Sequence, residues 1–280
     1  IGLLVIIYTV SGGTKAVNVT HKQQMFVIMT GMFIAFYLIM SYLPNDITFS
    51  KALKIAGAND KLNIVDFSFD TSDRYTFWWG ITGGFFLALS YFGTDQSQVQ
   101  RYLSGKSVRE SQLGLVFNGL FKVPMQFFIL LVGAMVFVFY QYNASPLNFN
   151  PAATKAVKES PMAAEYHELE GKLNQLVIDK KMAQDQFSAM LDIKDFDLIM
   201  AAKTNIQQLN KQEREYRAQG RAIIESVNKK IETNDKDYVF IHFILTQLPK
   251  GLIGLLLAVI LSAAMSSTAS ELNALGTITT

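Results

Sequence analysis

Two stretches of this chain, residues 25–43 and 251–269, run for 19 positions each without a charged side chain. Residues 76–94 do the same, and residues 113–140 carry a single charge, Lys122. A helix rises ~1.5 Å per residue, so about 18 to 20 apolar residues cross the hydrocarbon core of a bilayer. The pattern predicts an all-α, multi-spanning membrane protein. Five membrane segments are expected: residues 1–10 (partial), 25–43, 76–103, 113–142 and 251 to about 277. Residues 1–10 are already apolar and lack a basic leader, so they read as the tail of a span rather than a signal peptide. The chain is therefore expected to be an internal part of a larger protein, its sites completed by further transmembrane helices.

Composition narrows the chemistry by exclusion. A net charge of +2 gives no reason to expect nucleic acid. With no Cys there is no disulfide or thiolate site. His21, His167 and His242 are too scattered to form a ligand set, and Gly12-Gly13 lacks the strand context of a nucleotide loop. No acid/base or metal cluster suggests an enzyme, and no cofactor is expected.

Charge also orients the chain. The connections at 11–24 and 104–112, with the preceding Arg101, carry Lys15, Lys22, Arg101, Lys106 and Arg109 against Glu110 alone. Short basic loops favour the cytoplasm. The connection at 44–75, with Asp46, Asp60, Asp66, Asp70 and Asp73, then lies outside, with Phe77, Trp78 and Trp79 marking the outer interface. The organisation expected is residues 1–142 as transmembrane helices with short cytoplasmic loops and one outer loop, 143–237 as an extracytoplasmic insertion, and 238–280 as an outer re-entrant helix followed by the last span.

Residues 143–237 hold 14 of the 25 Lys and Arg and 15 of the 23 Asp and Glu. Tyr166, Leu169, Leu173, Leu176, Ala183, Phe187 and Met190 follow a 3–4 spacing interrupted by Lys180. Ile199, Ala202, Ile206, Leu209, Tyr216, Ile223 and Val227 repeat it beyond residues 192–197. Two apolar stripes joined by an acidic turn predict an antiparallel helical hairpin. It is either a solvated insertion or a surface that docks a partner.

Polar groups inside an apolar span are costly, so they mark candidate sites. Ala263, Ser266, Ser267 and Ser270 fall at i, i+3, i+4 and i+7, one helical face. Such a face suits close helix packing. It equally suits a hard monovalent cation such as sodium, which takes neutral oxygen ligands. Lys122 sits about ten residues into its span, too deep to snorkel easily, and Pro124 would free a carbonyl nearby. Gly80, Gly83, Gly84 and Gly93 make residues 76–103 a poor uniform helix, so a break is expected near Tyr91. Asp95 either pairs with Arg101 or lines a water-filled path.

Three stretches together resemble the sodium/solute symporter family, which includes sodium/glucose and sialic acid cotransporters. They are Tyr-Thr-Val-Ser-Gly-Gly-Thr-Lys-Ala-Val at 8–17, Gly-Thr-Asp-Gln-Ser-Gln-Val-Gln-Arg-Tyr-Leu-Ser-Gly-Lys-Ser at 93–107, and Ala-Ala-Met-Ser-Ser at 263–267. The resemblance covers the membrane segments and excludes the hairpin. It implies the inverted-repeat fold of the leucine transporter, of which this chain would supply core helices four to eight. It implies a sodium site on the carbonyl of Ala263 and the hydroxyls of Ser266 and Ser267, with the remaining ligands from the first core helix. Lys122 falls on a lysine that contacts sugar in a bacterial sugar-transporting relative, and Tyr91 on its inner gate tyrosine. Ala88 stands where that relative has a sugar-binding asparagine. His21 replaces an aspartate of a second sodium site, and Ala269 replaces one of its hydroxyls, leaving Ser270, so that second site is expected to be absent.

The function expected is sodium-coupled symport of a small organic solute, a sugar or related polar metabolite, across the cytoplasmic (inner) membrane. The alternative is a membrane-anchored sensor or assembly protein acting through the hairpin.

Overall fold

A computed structural model describes residues 2–62, 65–69, 76–103 and 107–279; the side chains of residues 2–5, 8–17, 100–103, 273, 277 and 278 lie outside that description. Asp70, Asp73 and Lys106 fall outside the described residues, as do the side chains of Lys15 and Arg101. The regular structure of the described residues is helical, apart from an isolated bridge between Asp66 and Thr76.

In chain order the helices are α1 (Gly2–Ser41), α2 (Phe49–Ala58), α3 (Phe77–Leu89), α4 (Gln96–Leu103), α5 (Val108–Tyr142), α6 (Pro151–Lys158), α7 (Ala163–Ile193), α8 (Phe196–Val227), α9 (Lys236–Gln247) and α10 (Lys250–Thr279). Among the described residues, three helical segments are long and apolar enough to cross a bilayer: Asn18–Ser41, Val108–Tyr142 and Lys250–Gly276. This is an all-α membrane protein.

One expectation about the spans needs correction, and another, the break near Tyr91, is met. Residues 11–24, read as a loop, continue the helix of α1. No proline interrupts this stretch, and the ~1 kcal/mol cost of each of Gly12 and Gly13 does not by itself end a helix. Residues 76–103, read as one span, form α3, a π-helical turn at Ser90–Thr94, and α4. Asp95 N–H donates to the Ser90 carbonyl five residues back, and Asp95 then leaves the helix with ψ 99°. The glycine-rich composition foreshadowed this break, since each glycine weakens the uniform helix. Neither α3 nor α4 reaches spanning length by itself.

The chain divides into two compact units. The first holds Ile1–Ile34, Ile64–Leu130 and Pro249–Thr280. Here α10 runs antiparallel to α1: Gln24 Nε2 donates to Ser262 Oγ at 2.8 Å, and seven residues on, Gly31 meets Leu256. A Cβ at Gly31 would stand 2.8 Å from Leu256 Cδ2, the end of a flexible side chain that would have to shift. The Phe33 and Phe128 rings, 4.5 Å apart, join α1 to α5, and α4 lies against α10.

The second unit holds Ala35–Asn63 and Leu131–Leu248. Its centre is an antiparallel pair, α7 and α8. Lys194 turns the chain in the left-handed region (φ 60°), and Asp195 caps α8 by accepting from the N–H groups of Asp197 and Leu198. Leu169, Leu173 and Leu176 of α7 meet Ile223 and Ile224 of α8 in one apolar core that also takes in Leu147, Ala153 and Val157. The first predicted stripe is buried apart from half-buried Met190, whereas in the second only Ile206 and Ile223 are buried and the rest are half-buried. Lys180, which interrupted the first stripe, is itself buried and pairs with Glu213. Arg217 bonds the same carboxylate and donates to the carbonyls of Pro146 and Leu147 and to Ser145 Oγ. Burial alone would raise the Glu213 carboxyl, but the Lys180 ammonium and Arg217 guanidinium outweigh it and hold it at about 2. Residues 44–75, read as an outer loop, contain α2, capped by Thr48 and packed on α7 and α8.

Candidate functional site

The serine-rich segment of α10 is an unbroken helix, so its side chains are displayed by helical rotation alone. Ser266 is 1% exposed, and its Oγ has no hydrogen-bond partner. A buried hydroxyl left without a partner costs about 1–3 kcal/mol, which makes Ser266 the costly polar group on this face of α10. Ser270 is buried too, but its Oγ donates to the Ser266 carbonyl at 3.0 Å. Ala263 is half-buried and Ser267 is exposed.

The predicted face is therefore turned by a fraction of a helical step. The buried side of α10 runs through Val259, Ser266, Ala269, Ser270 and Ala274, and Ser267 stands at its edge. Sequence reasoning missed Gln24 and Ser262, which lie one turn from Ser266 and tie α1 to α10. The available signal was Ser262 itself, four residues before Ser266 in the same motif.

A second polar locus lies in the same unit. Lys122 Nζ stands 5.2 Å from the centroid of the Tyr91 ring, a cation–π contact joining α5 to the π turn. The two residues singled out for the solute pathway are thus brought together. Pro124 is accommodated inside α5, leaving a carbonyl one turn earlier without its usual donor. Ala88 is exposed near the end of α3, three residues before Tyr91.

Asp95 has a structural task. Its Oδ1 accepts from the Ser97 N–H at 3.0 Å and the Ser97 hydroxyl at 2.7 Å, capping α4 after the break. Among the described residues no three His, Cys, Asp or Glu side chains group to hold a metal ion. The oxygen donors that the site offers are neutral, a set suited to sodium as cargo rather than to a resident transition metal.

The model of the sodium:solute symporter family matches residues 1–183. The chain belongs to this family. The family match ends inside α7, so the serines of α10 lie beyond it. The human (Homo sapiens) sodium/iodide cotransporter is 32% identical over 141 residues, which is 50% of this symporter-family chain and 21% of that protein. Sodium-coupled monocarboxylate transporter 2 of Mus musculus is 36% identical over 118 residues, 42% of the chain and 18% of that protein. The sodium-dependent multivitamin transporter of Oryctolagus cuniculus is 31% identical over 147 residues, 50% of the chain and 22% of that protein. The chain spans about a fifth of the length of these relatives. No solved structure matches it.

Proposed function

We propose that this chain works within a sodium-coupled symporter that carries a small solute across the cytoplasmic membrane by alternating access. The observation that carries the reading is the buried, unpartnered Ser266 hydroxyl on a helix of a sodium:solute symporter family member. Sodium would take oxygens from Ser266, from Ser267 at the edge of the same helix, and from the Ala263 carbonyl. In inverted-repeat transporters of the leucine-transporter kind, ion and substrate sites lie near the bilayer midplane between the repeats, and in that fold this chain would supply core helices four to eight. Residues 143–237 would form an extracytoplasmic insertion in this arrangement, by the rule that a short basic connection such as that at 104–112 stays inside. Ser270 and Asp95 are already engaged within the protein, which favours one sodium site over two.

The solute would bind near Tyr91 and Lys122, with Ala88 alongside. The relatives are named for iodide, monocarboxylates and vitamins, so the solute class is widened from sugars to small solutes in general. Coupling requires that ion and solute favour the same conformational state through differential binding.

The test is uptake by the full-length protein in liposomes with an imposed sodium gradient. Replacing both Ser266 and Ser267 with Ala should raise the sodium concentration for half-maximal uptake at least tenfold, about 1.4 kcal/mol. Unchanged sodium dependence in a well-folded double variant overturns the assignment. Deleting residues 165–232 separates this reading from a sensor acting through the hairpin, because a transporter keeps its uptake.

A further inference from the structure

Within the second unit, α2 is held against the ends of two span-forming helices. At its start the Phe49 ring meets Phe36 of α1 edge-on, 5.8 Å between centroids. Three residues past its end, Lys61 Nζ lies 4.8 Å from the ring of Phe137 in α5. Phe36 and Phe137 each stand five residues before their helix ends, at Ser41 and Tyr142. Both contacts therefore set α2 at the level where the spans leave the hydrocarbon.

The hairpin is fastened to α2 at both ends. Lys51 pairs with Asp192 at 2.7 Å, and Asn210 Nδ2 donates to Asn59 Oδ1 at 2.6 Å. The residue after Asp192 begins the hairpin tip, and the tip is apolar. Ile193 is 60% exposed and Phe196 73%, with Leu198 and Met200 also exposed. Of the charges around them, Asp192 is used by Lys51 and Asp195 by the start of α8, while Lys194 and Asp197 stand exposed beside the apolar side chains. A turn facing only water has no reason to present four large apolar side chains within eight residues, whereas an interfacial segment buries that kind of surface among headgroups and upper acyl chains.

We propose that the hairpin tip, residues 193–200, inserts its apolar side chains into the interfacial layer of the same bilayer that the spans cross. The occupant is lipid because the fastening to α2 carries the tip to the membrane surface. This goes beyond the transport reading and does not depend on it.

The experiment uses the full-length protein, reconstituted in phosphatidylcholine liposomes with any cysteine elsewhere replaced. Asp197→Cys places a fluorophore at the tip and leaves all four apolar side chains intact; Glu168→Cys places it at the far end of the hairpin as an aqueous reference. A nitroxide high on the lipid acyl chain should quench the tip label at least threefold more than the reference, and aqueous iodide should quench it less. Adding Ile193→Ser and Phe196→Ser should erase the difference. Equal lipid quenching at the two positions overturns the proposal. Self-quenching of the tip label that rises with protein density, without lipid quenching, also overturns it and assigns the tip to a second copy of the chain.

Discussion

The Lys122 ammonium lies against the face of the Tyr91 ring, 5.2 Å from its centroid. One residue comes from the middle of a long span and the other from a π-helical turn. An aromatic face stabilises a lysine in an apolar segment without neutralising it, by about 0.5–2 kcal/mol. The charge thus remains available to a solute. Tyr91→Phe keeps the ring and should leave the KM for solute within about twofold. Tyr91→Ala and Lys122→Met should each raise it, by roughly 3- to 30-fold on the same scale. Equal behaviour of the Phe and Ala variants in uptake assays would refute the contact's role.

Ser266 offers a division between folding and ion binding. Its hydroxyl makes no internal hydrogen bond, so Ser266→Ala removes an unmet desolvation cost and should raise thermal stability in sodium-free buffer by about 1–3 kcal/mol. The same variant should lose most of the thermal stabilisation that added sodium confers on the full-length protein. Ser270→Ala, which removes a bond to the Ser266 carbonyl, should do the reverse. Thermal melts with and without sodium distinguish the two.

Gly31 lies where α1 meets Leu256 of α10. Because the obstructing atom is the tip of the flexible Leu256 side chain, Gly31→Ala should be tolerated, at a cost of about 1 kcal/mol or less. Gly31→Phe has no such escape and should cost about 1–3 kcal/mol by overpacking, read as a lower melting temperature. It should also weaken the Gln24–Ser262 bond one register step away.

Acid should loosen the hairpin through Glu213. Its carboxyl is held at about 2 in the folded protein, against about 4.3 in an unfolded chain. A depressed folded value means that the unfolded state binds the proton more readily. The stabilisation is thus complete above about pH 4.3 and is lost as pH falls towards 2. Protease resistance of α7 and α8 in the reconstituted protein should decline across that window. Glu213→Gln should remove this pH dependence and weaken the hairpin at neutral pH, because buried Lys180 loses its counter-charge; breaking such a pair costs up to about 3 kcal/mol.

The hairpin was the most legible part of the sequence, because its signal is local: a 3–4 stripe, an acidic turn and a second stripe. Lys180 looked like an interruption only because its partner lies 33 residues away on α8. The serine face was legible as a feature but not in its rotation. Adjacent residues on a helix differ by about 100°, so periodicity cannot tell whether Ser266 or Ser267 faces inward; the Gln24–Ser262 bond and the Gly31 approach accompany that choice, and both are long-range. The continuation of α1 through residues 11–24 was misread because basic residues suggest a loop, although nothing in the backbone of that stretch forbids a helix. Tyr91 and Lys122 meet through a π turn that no spacing rule encodes.

That turn also has a mechanical meaning. Five residues from Ser90 to Thr94, Tyr91 among them, separate α3 from a short helix that rests on α10. A joint placed there interrupts the regular hydrogen-bond ladder between α3 and α4, so a bend in one helix need not be carried into the other.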